Sequence, residues 1–165
     1  MKAVVVEQPG SVCVREVPDP EVGPGDVLIR VAACGICGTD IHIIDGEFPP
    51  TVYPIVPGHE FSGVVAEVGE QVTGIVVGDR VGVDPTLNCG ECFFCQRGQG
   101  NLCERWNAVG VGQAWGAFAE CVSVPSRTVY PLPEEMTFKA GALIEPVACV
   151  AVSYTHLTLP TFYSV

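Results

Sequence analysis

Residues 58–72, GHEFSGVVAEVGEQV, contain the clearest strand signal in the chain. Within them, Phe61–Val68 is rich in valine and has a glycine near each end, which is typical of a β-strand between turns. His59 and Glu60 come directly before this run, and both side chains have metal-ligand chemistry. The stretch therefore predicts a strand that carries candidate ligands at its beginning.

Segments of similar character lie on both sides of this strand. Further strands are predicted for the valine-rich or alternating runs at 2–7, 11–17, 27–33, 80–83, 117–124 and 128–132. Val12, Val14 and Val17 should make the second of these strands half-buried. Short helices are predicted at 38–44 and 137–144, the latter with Thr137 as its N-cap. With 19 glycines and 14 prolines among 165 residues, the chain is expected to form a mostly β domain with short helices.

Composition and charge narrow the class of protein. A hydrophobic content of 48% with only 16% charged residues excludes a disordered chain, and the length suffices for one domain with its own core. A net charge of −11 argues against a nucleic-acid surface and against an anchor for anionic membranes. No apolar run approaches the roughly 20 residues of a membrane span. We therefore expect neither nucleic acid nor membrane as a partner.

Nine cysteines indicate metal binding if the compartment is reducing. The N-terminal residues MKAVVVEQPG lack the apolar core and cleavage pattern of a secretory leader, so a cytoplasmic location is expected. In a reducing compartment clustered cysteines are more often metal ligands than disulfides. Disulfide bonds remain the alternative.

A four-cysteine lobe, residues 85–105, has the spacing C-x2-C-x2-C-x7-C within NCGECFFCQRGQGNLC. Four thiolates that share one tetrahedral ion are what a closed structural zinc site requires, and an iron–sulfur cluster is the alternative. The lobe has too few apolar residues to fold by burial, so a metal is expected to order it. The predicted ligands are Cys89, Cys92, Cys95 and Cys103.

A second group of candidate ligands combines CGICGTDIH, residues 34–42, with GHE, residues 58–60. Cys34 and Cys37 could form a redox pair, but no βαβ pattern surrounds them. Cys37, His59 and a carboxylate instead suit a catalytic zinc, which takes three protein ligands and leaves one position open.

At these residues the chain resembles the zinc-dependent medium-chain alcohol dehydrogenases. The signature G-H-E-x2-G-x5-G-x2-V is matched through Gly58, His59, Glu60, Gly63, Gly69 and Val72. The segments CGICGTDIH, GDRV, the four-cysteine lobe, GAFAECVSVP and GALIEPVACV follow in the family's order. The resemblance implies a GroES-like β-barrel over residues 1–150 that forms the N-terminal catalytic domain of a longer enzyme. Glu145 followed by Pro146 resembles the sorbitol, L-iditol and threonine dehydrogenase branch.

The resemblance also implies roles for individual residues. Cys37 and His59 correspond to zinc ligands, while Glu60 and Glu145 compete for the carboxylate position, with Glu60 favoured. Asp40 would accept a hydrogen bond from His59, although a carboxylate in the first turn of a short helix is the alternative. Thr39 would contact the alcohol. His42 would pass its proton to solvent, unless it is only a surface histidine. The remaining cysteines are interpreted as small packing residues: Cys13, Cys34, Cys121 and Cys149.

The implied reaction is oxidation of a secondary hydroxyl of an alcohol or polyol by hydride transfer to NAD or NADP, with one catalytic and one structural zinc. The family's Rossmann domain is absent from this chain, and the glycine run at 110–116 lacks the strand–turn–helix context of a dinucleotide site. The chain alone is therefore expected to bind zinc without turning over alcohol, and its full-length parent is expected to be a homo-oligomer. The alternatives are a stand-alone zinc-stabilised binding module and a zinc-independent quinone reductase relative.

The final residues, VSYTHLTLPTFYSV, differ in composition from everything before them. Residues 152–161 resemble, position by position, the translation of a transposase adapter used in sequencing libraries. We therefore expect residues 151–165 to be a non-native tail that follows a native sequence cut near Val150. On this hypothesis Tyr154 and His156 have no function.

Overall fold

The structure is a computed structural model that describes residues 1–112 and 115–156. The strands are β1 (Lys2–Gln8), β2 (Ser11–Glu16), β3 (Asp26–Cys34), β4 (Phe61–Val68), β5 (Arg80–Val83), β6 (Thr86–Leu87), β7 (Asn107–Ala108), β8 (Cys121–Pro125) and β9 (Val129–Pro131). The helices are α1 (Gly38–Asp45), α2 (Phe138–Ala142) and α3 (Ile144–His156), with 3-10 turns at Cys95–Arg97, Gly100–Leu102 and Ser126–Thr128. The mostly β class with short helices is confirmed.

The central sheet has five antiparallel strands in the order β8-β3-β4-β5-β9. Ile29 of β3 pairs with Val65 of β4 on one side and with Val122 of β8 on the other. Paired residues of neighbouring strands point to the same face of the sheet. These three side chains are all buried, so that face carries the core. The main core forms on that face: Val27, Ile29, Phe61, Val65, Val81, Val83, Val109, Ala117, Val122, Val124 and Val129.

The hairpin of β1 and β2 stands beside this sheet, and its outer strand corrects one expectation. Of the three valines that the alternation places on a buried face, Val12 and Val14 are 45% and 70% exposed, and only Val17, just after β2, is buried. The structure pairs β2 with β1 alone, while β1 also bridges to the body of the fold at Ala3 and Val6. Alternation along a strand does not reveal whether a core lies beneath it, and here none covers β2.

The segment 117–124 forms a strand only from Cys121 onward. Before that residue its backbone turns towards the loop preceding β4, where the N–H of Ala117 donates to Gly58 O at 2.9 Å and the N–H of Phe118 donates to Pro57 O at 2.9 Å. These bonds tie the chain around His59 to a distant part of the sequence. The shorter strand thus contributes to positioning the candidate site.

Two helices close the described part of the chain. Thr137 caps α2, because its hydroxyl accepts from the N–H of Ala140 at 3.2 Å, and the predicted cap is confirmed. The predicted helix 137–144 is divided at Leu143, and α3 then continues through Val150 to His156 with no buried residue. Residues 157–165 of the predicted foreign tail lie outside the described residues, so that hypothesis stays a prediction. Within the described ranges, none of the helices has the length and apolarity that spanning a bilayer requires.

Candidate metal centre

Cys37, His59 and Glu60 form what we call the ligand triplet. Cys37 is the N-cap residue of α1, and the other two residues immediately precede β4. One ligand atom from each lies within 4.8 Å of the others. His59 is 6% exposed and Glu60 is 9% exposed, so these atoms meet in a largely dry environment. The structure therefore brings together the cysteine, the histidine and the favoured carboxylate.

Close backbone packing holds the histidine loop in place. Gly58 has a φ of +96°, and a Cβ there would lie 2.7 Å from the ring of Phe118. A Cβ at Gly110 or at Gly116 would lie 2.3 Å from the carbonyl oxygen of Gly58. Gly110 and Gly116, the first and last glycines of the run 110–116, thus allow the backbone to approach Gly58 beside His59, which gives them a packing role.

Asp40 connects α1 to the histidine loop. This fully buried carboxylate accepts from the backbone N–H of Cys37 at 2.8 Å and from that of Gly58 at 3.2 Å. Its Oδ1 also lies 3.4 Å from Nδ1 of His59. Asp40 can therefore serve both as a carboxylate in the first turn of α1 and as the partner of His59, because the same carboxylate caps the helix and faces the imidazole.

The charge state of His59 follows from these neighbours. Burial lowers the pKa of the imidazole, while the nearby carboxylate of Asp40, together with Cys37, raises it to about 9. Nδ1 has no well-formed hydrogen bond, because its contact with Asp40 is long. A divalent cation on the other ring nitrogen would replace the proton as the positive charge between the carboxylate and the thiol.

The remaining predicted site residues lie at different distances from the triplet. Thr39 is adjacent, with Oγ1 3.7 Å from Sγ of Cys37. His42 is 59% exposed, and its Nδ1 lies 2.9 Å from Oε2 of Glu47. Glu145 is half-buried in the first turn of α3 and does not belong to the 4.8 Å group.

Cys149 was expected to be a packing residue, and this expectation is wrong. Its side chain is exposed, and its thiol donates to Oε1 of Glu145 at 3.2 Å. Cys13 is also exposed, with Sγ 3.8 Å from Oε1 of Glu7, whereas Cys34 is partly buried and packs against the core. The only sequence signal for the contact of Cys149 was its four-residue spacing from Glu145, which places both side chains on one helix face.

The four-cysteine lobe projects from the strand pair β6–β7. The sulfurs of Cys89, Cys92, Cys95 and Cys103 lie within 4.8 Å of one another. The backbone N–H of Cys89 points at Sγ of Cys103 at 3.3 Å, and the N–H of Cys92 points at Sγ of Cys89 at 3.4 Å. This is the geometry of a closed four-thiolate site.

The electrostatics of the lobe favour a bound cation. Backbone N–H groups lower the pKa of Cys89 to about 6, so this thiol is readily ionised. Burial and the adjacent cysteines raise the pKa of Cys95 to about 12, since each added thiolate repels the next. Four sulfurs so close together can all be ionised only when a cation balances their charge, and Zn²⁺ suits an all-sulfur tetrahedron.

The fold and its two ligand groups define a class of protein. One group combines a cysteine, a histidine and a glutamate beside an antiparallel β-domain, and a separate lobe holds four cysteines. This is the donor pattern of a two-zinc domain with one open and one structural site. The residues of both groups fit zinc in donor type and spacing.

Comparison with known proteins identifies the family. The chain belongs to the alcohol dehydrogenase GroES-like domain family, whose model matches residues 23–134. It is 43% identical over 150 residues to L-threonine 3-dehydrogenase of Rhizobium etli, covering 88% of this chain and 43% of that protein. It is 39% identical over 150 residues to D-altritol 5-dehydrogenase of Agrobacterium fabrum, with 91% and 44% covered.

A solved structure supports the same family. A candidate zinc-binding dehydrogenase from Sinorhizobium meliloti 1021, bound to NADP, superposes with a TM-score of 0.88 at 44% identity and covers 93% of this chain and 44% of that one. This chain therefore spans less than half the length of the curated relatives it matches. The predicted family and fold are confirmed.

Proposed function

We propose that this chain supplies the metal-binding half of the active site of a zinc-dependent alcohol or polyol dehydrogenase, which oxidises a secondary hydroxyl with NAD or NADP as hydride acceptor. The observation that carries the proposal is the ligand triplet, whose donor atoms lie within 4.8 Å of one another next to buried Asp40. A thiol, an imidazole and a carboxylate gathered at one place are the donor types that zinc takes in an open site.

In this proposal the triplet holds the catalytic zinc, and the four-cysteine lobe holds the structural one. Zinc bound at the triplet would supply Lewis acidity that favours ionisation of an alcohol oxygen. Asp40 orients the imidazole of His59 and balances its charge. The burial of His59 and Glu60 keeps water from weakening these electrostatic contacts.

The same residues suggest how a proton leaves. Thr39 Oγ1, 3.7 Å from Sγ of Cys37, is proposed to take the proton of the alcohol while its own hydroxyl proton passes on. His42 lies three residues further along α1, and its exposed ring can pass that proton to solvent. Glu145 is proposed as the second candidate carboxylate of the site, although it does not belong to the 4.8 Å group.

The substrate class is proposed from the relatives. Their names identify dehydrogenases of L-threonine and D-altritol, which carry a secondary hydroxyl beside further polar groups. A small polar alcohol or polyol of this kind is therefore the proposed substrate. We assign no nicotinamide-binding role to any described residue. We also propose that the full-length protein is a cytoplasmic homo-oligomer.

Counting zinc tests the proposal against its two alternatives. We expect two Zn²⁺ per chain by metal analysis after growth in zinc, and His59→Ala should reduce the count to one. The matched control is His156→Ala, which changes an exposed histidine of α3. A chain with one zinc, bound only by the four-cysteine lobe, would favour the stand-alone binding module. A chain with no zinc would favour the quinone reductase relative.

A further inference from the structure

Gly35 lies opposite Glu60 where the pairing of β3 with β4 ends. Cys34 pairs with Phe61, and one residue further on the N–H of Gly35 donates to the carbonyl oxygen of Glu60 at 2.7 Å. Residues that stand directly opposite each other on antiparallel strands carry their side chains on the same face. A side chain at position 35 would therefore point to the place where the side chain of Glu60 lies.

The carboxylate of Glu60 occupies the space that a side chain at position 35 would need. A Cβ built on Gly35 would lie 2.4 Å from Oε2 of Glu60, 3.2 Å from its Cβ and 3.5 Å from its Cδ. The first of these distances is far shorter than a van der Waals contact. The backbone of Gly35 does not have a positive φ, so alanine could adopt the same conformation. What this position requires of glycine is the missing Cβ, since the backbone conformation does not call for it.

The overlap concerns a candidate zinc ligand. Glu60 supplies the carboxylate of the ligand triplet, whose donor atoms lie within 4.8 Å of one another. Glu60 is 9% exposed, so its side chain cannot move into solvent without leaving the site. Cys37 follows Gly35 by two residues, so one short segment supplies both the thiol ligand and the room for the carboxylate ligand.

We propose that Gly35 is a positioning residue for Glu60. Its missing side chain admits the carboxylate to the ligand triplet, and a larger residue at this position would displace that carboxylate from the metal. This inference rests on the proposed zinc site at the triplet. Gly35 acts through Glu60 alone, so in a Gly35→Ala protein the zinc would keep Cys37 and His59 and lose its third ligand.

Zinc affinity of the full chain tests this role without any need for turnover. The triplet zinc is identified as the one that His59→Ala loses, and its affinity is measured by competition with a chromophoric chelator. We expect Gly35→Ala to weaken this affinity about 10- to 100-fold, while the four-cysteine lobe keeps its zinc. Gly38→Ala is the matched control from the same segment, because a Cβ there would meet nothing within 4 Å, and it should bind zinc like the wild type.

A Glu60→Ala background separates positioning from damage to the segment. Once the carboxylate is removed, Gly35→Ala should cause no further loss of zinc affinity. Cobalt gives an independent readout, because the visible bands of bound Co²⁺ report the number and type of its ligands. The difference spectra of Gly35→Ala and Glu60→Ala against the wild type should therefore coincide, since both variants lose the same ligand.

Two results would overturn the inference while leaving the zinc site intact. One is wild-type zinc affinity in Gly35→Ala, which would show that the carboxylate stays on the metal beside a methyl group. The other is an equal loss of affinity from Gly35→Ala in both backgrounds, which would show that the methyl group acts on Cys37 or on the fold.

The same pair of variants decides the case in which Gly35→Ala does not fold. Recovery of folding when Glu60→Ala is added would support the overlap with the carboxylate, and failure of both proteins to fold would overturn it. A His59→Ala protein that retains the zinc content of the wild type would instead refute the proposed zinc site, and the role of Gly35 with it.

Discussion

Oδ1 of Asp40 lies 3.4 Å from Nδ1 of His59, and the same carboxylate accepts the backbone N–H groups of Cys37 and Gly58. One buried side chain thus fixes both ends of the candidate zinc site, the start of α1 and the histidine loop. A carboxylate behind a metal-binding histidine orients the ring and increases its basicity.

Asp40→Asn should therefore weaken zinc binding at the triplet more than it alters the fold. We expect a loss of about 10- to 100-fold in zinc affinity at this site, measured by competition with a chromophoric chelator. The amide keeps one acceptor oxygen, so the cost to the free energy of unfolding should stay within about 1–3 kcal/mol. Asp45→Asn, at the exposed end of α1, is the control and should change neither quantity. An Asp40→Asn protein with wild-type affinity would contradict the orienting role.

Cys103→Ser should empty the four-cysteine lobe and leave the β-domain folded. The lobe is ordered by few apolar contacts, so loss of its metal should expose residues 89–103 to protease while the central sheet stays protected. We expect the zinc count to fall by one and cleavage to concentrate in this segment under limited proteolysis with mass spectrometry. Cys13→Ser, which alters a thiol far outside the lobe in sequence, should retain both zinc and protection. Cleavage spread over the whole chain would show that the lobe supports the entire fold.

Gly63→Ala tests the close approach of β3 and β4. A Cβ at position 63 would lie 2.2 Å from the carbonyl oxygen of Arg30 and 2.8 Å from Cγ2 of Ile29. Two central strands would have to separate, so we expect a loss of about 3 kcal/mol in the free energy of unfolding, at the upper end of ordinary overpacking. Urea denaturation measures this quantity. Gly25→Ala, where a Cβ meets nothing within 4 Å, should stay within about 0.5 kcal/mol of the wild type.

The N-terminal amine offers a prediction that depends on pH. The hydrogen bond from the amine of Met1 to Oδ1 of Asp19, at 2.9 Å, raises the pKa of that amine. The bond therefore stabilises the fold below the amine's ordinary pKa of 8.0, and this contribution is lost as the pH rises through the raised value.

At pH 8 the wild-type amine should be acylated more slowly than that of Asp19→Asn, because more of it is protonated and non-nucleophilic. The difference should vanish well above both pKa values, where the amine is neutral in each protein. Acetic anhydride labelling followed by peptide mass spectrometry measures the rates, with Glu21→Gln as the control for the loss of a nearby exposed charge. Equal rates for wild type and Asp19→Asn at pH 8 would show that the amine is free.

Local signals predicted many of the elements well. Strands β4 and β5 begin and end where the sequence placed them, because valine-rich runs next to glycine and other turn residues are unambiguous over short distances. The cap of α2 at Thr137 is equally local. By contrast, the prediction that β2 is half-buried was wrong. The exposure of a strand depends on what packs against it, and the residues of the strand itself do not encode this.

The sequence by itself determined the ligand inventory: a four-cysteine lobe with zinc spacing, and a cysteine, a histidine and two glutamates suited to a second site. These are properties of residue type and short-range spacing, which chain order preserves. Only the tertiary structure decided which of them meet. It joined Cys37 to His59 through buried Asp40, packed Gly110 and Gly116 against Gly58, and gave Glu145 the thiol of Cys149 as its partner. The first two of these depend on packing between segments far apart in the sequence, and the last depends on helix register, so local pattern alone could not specify them.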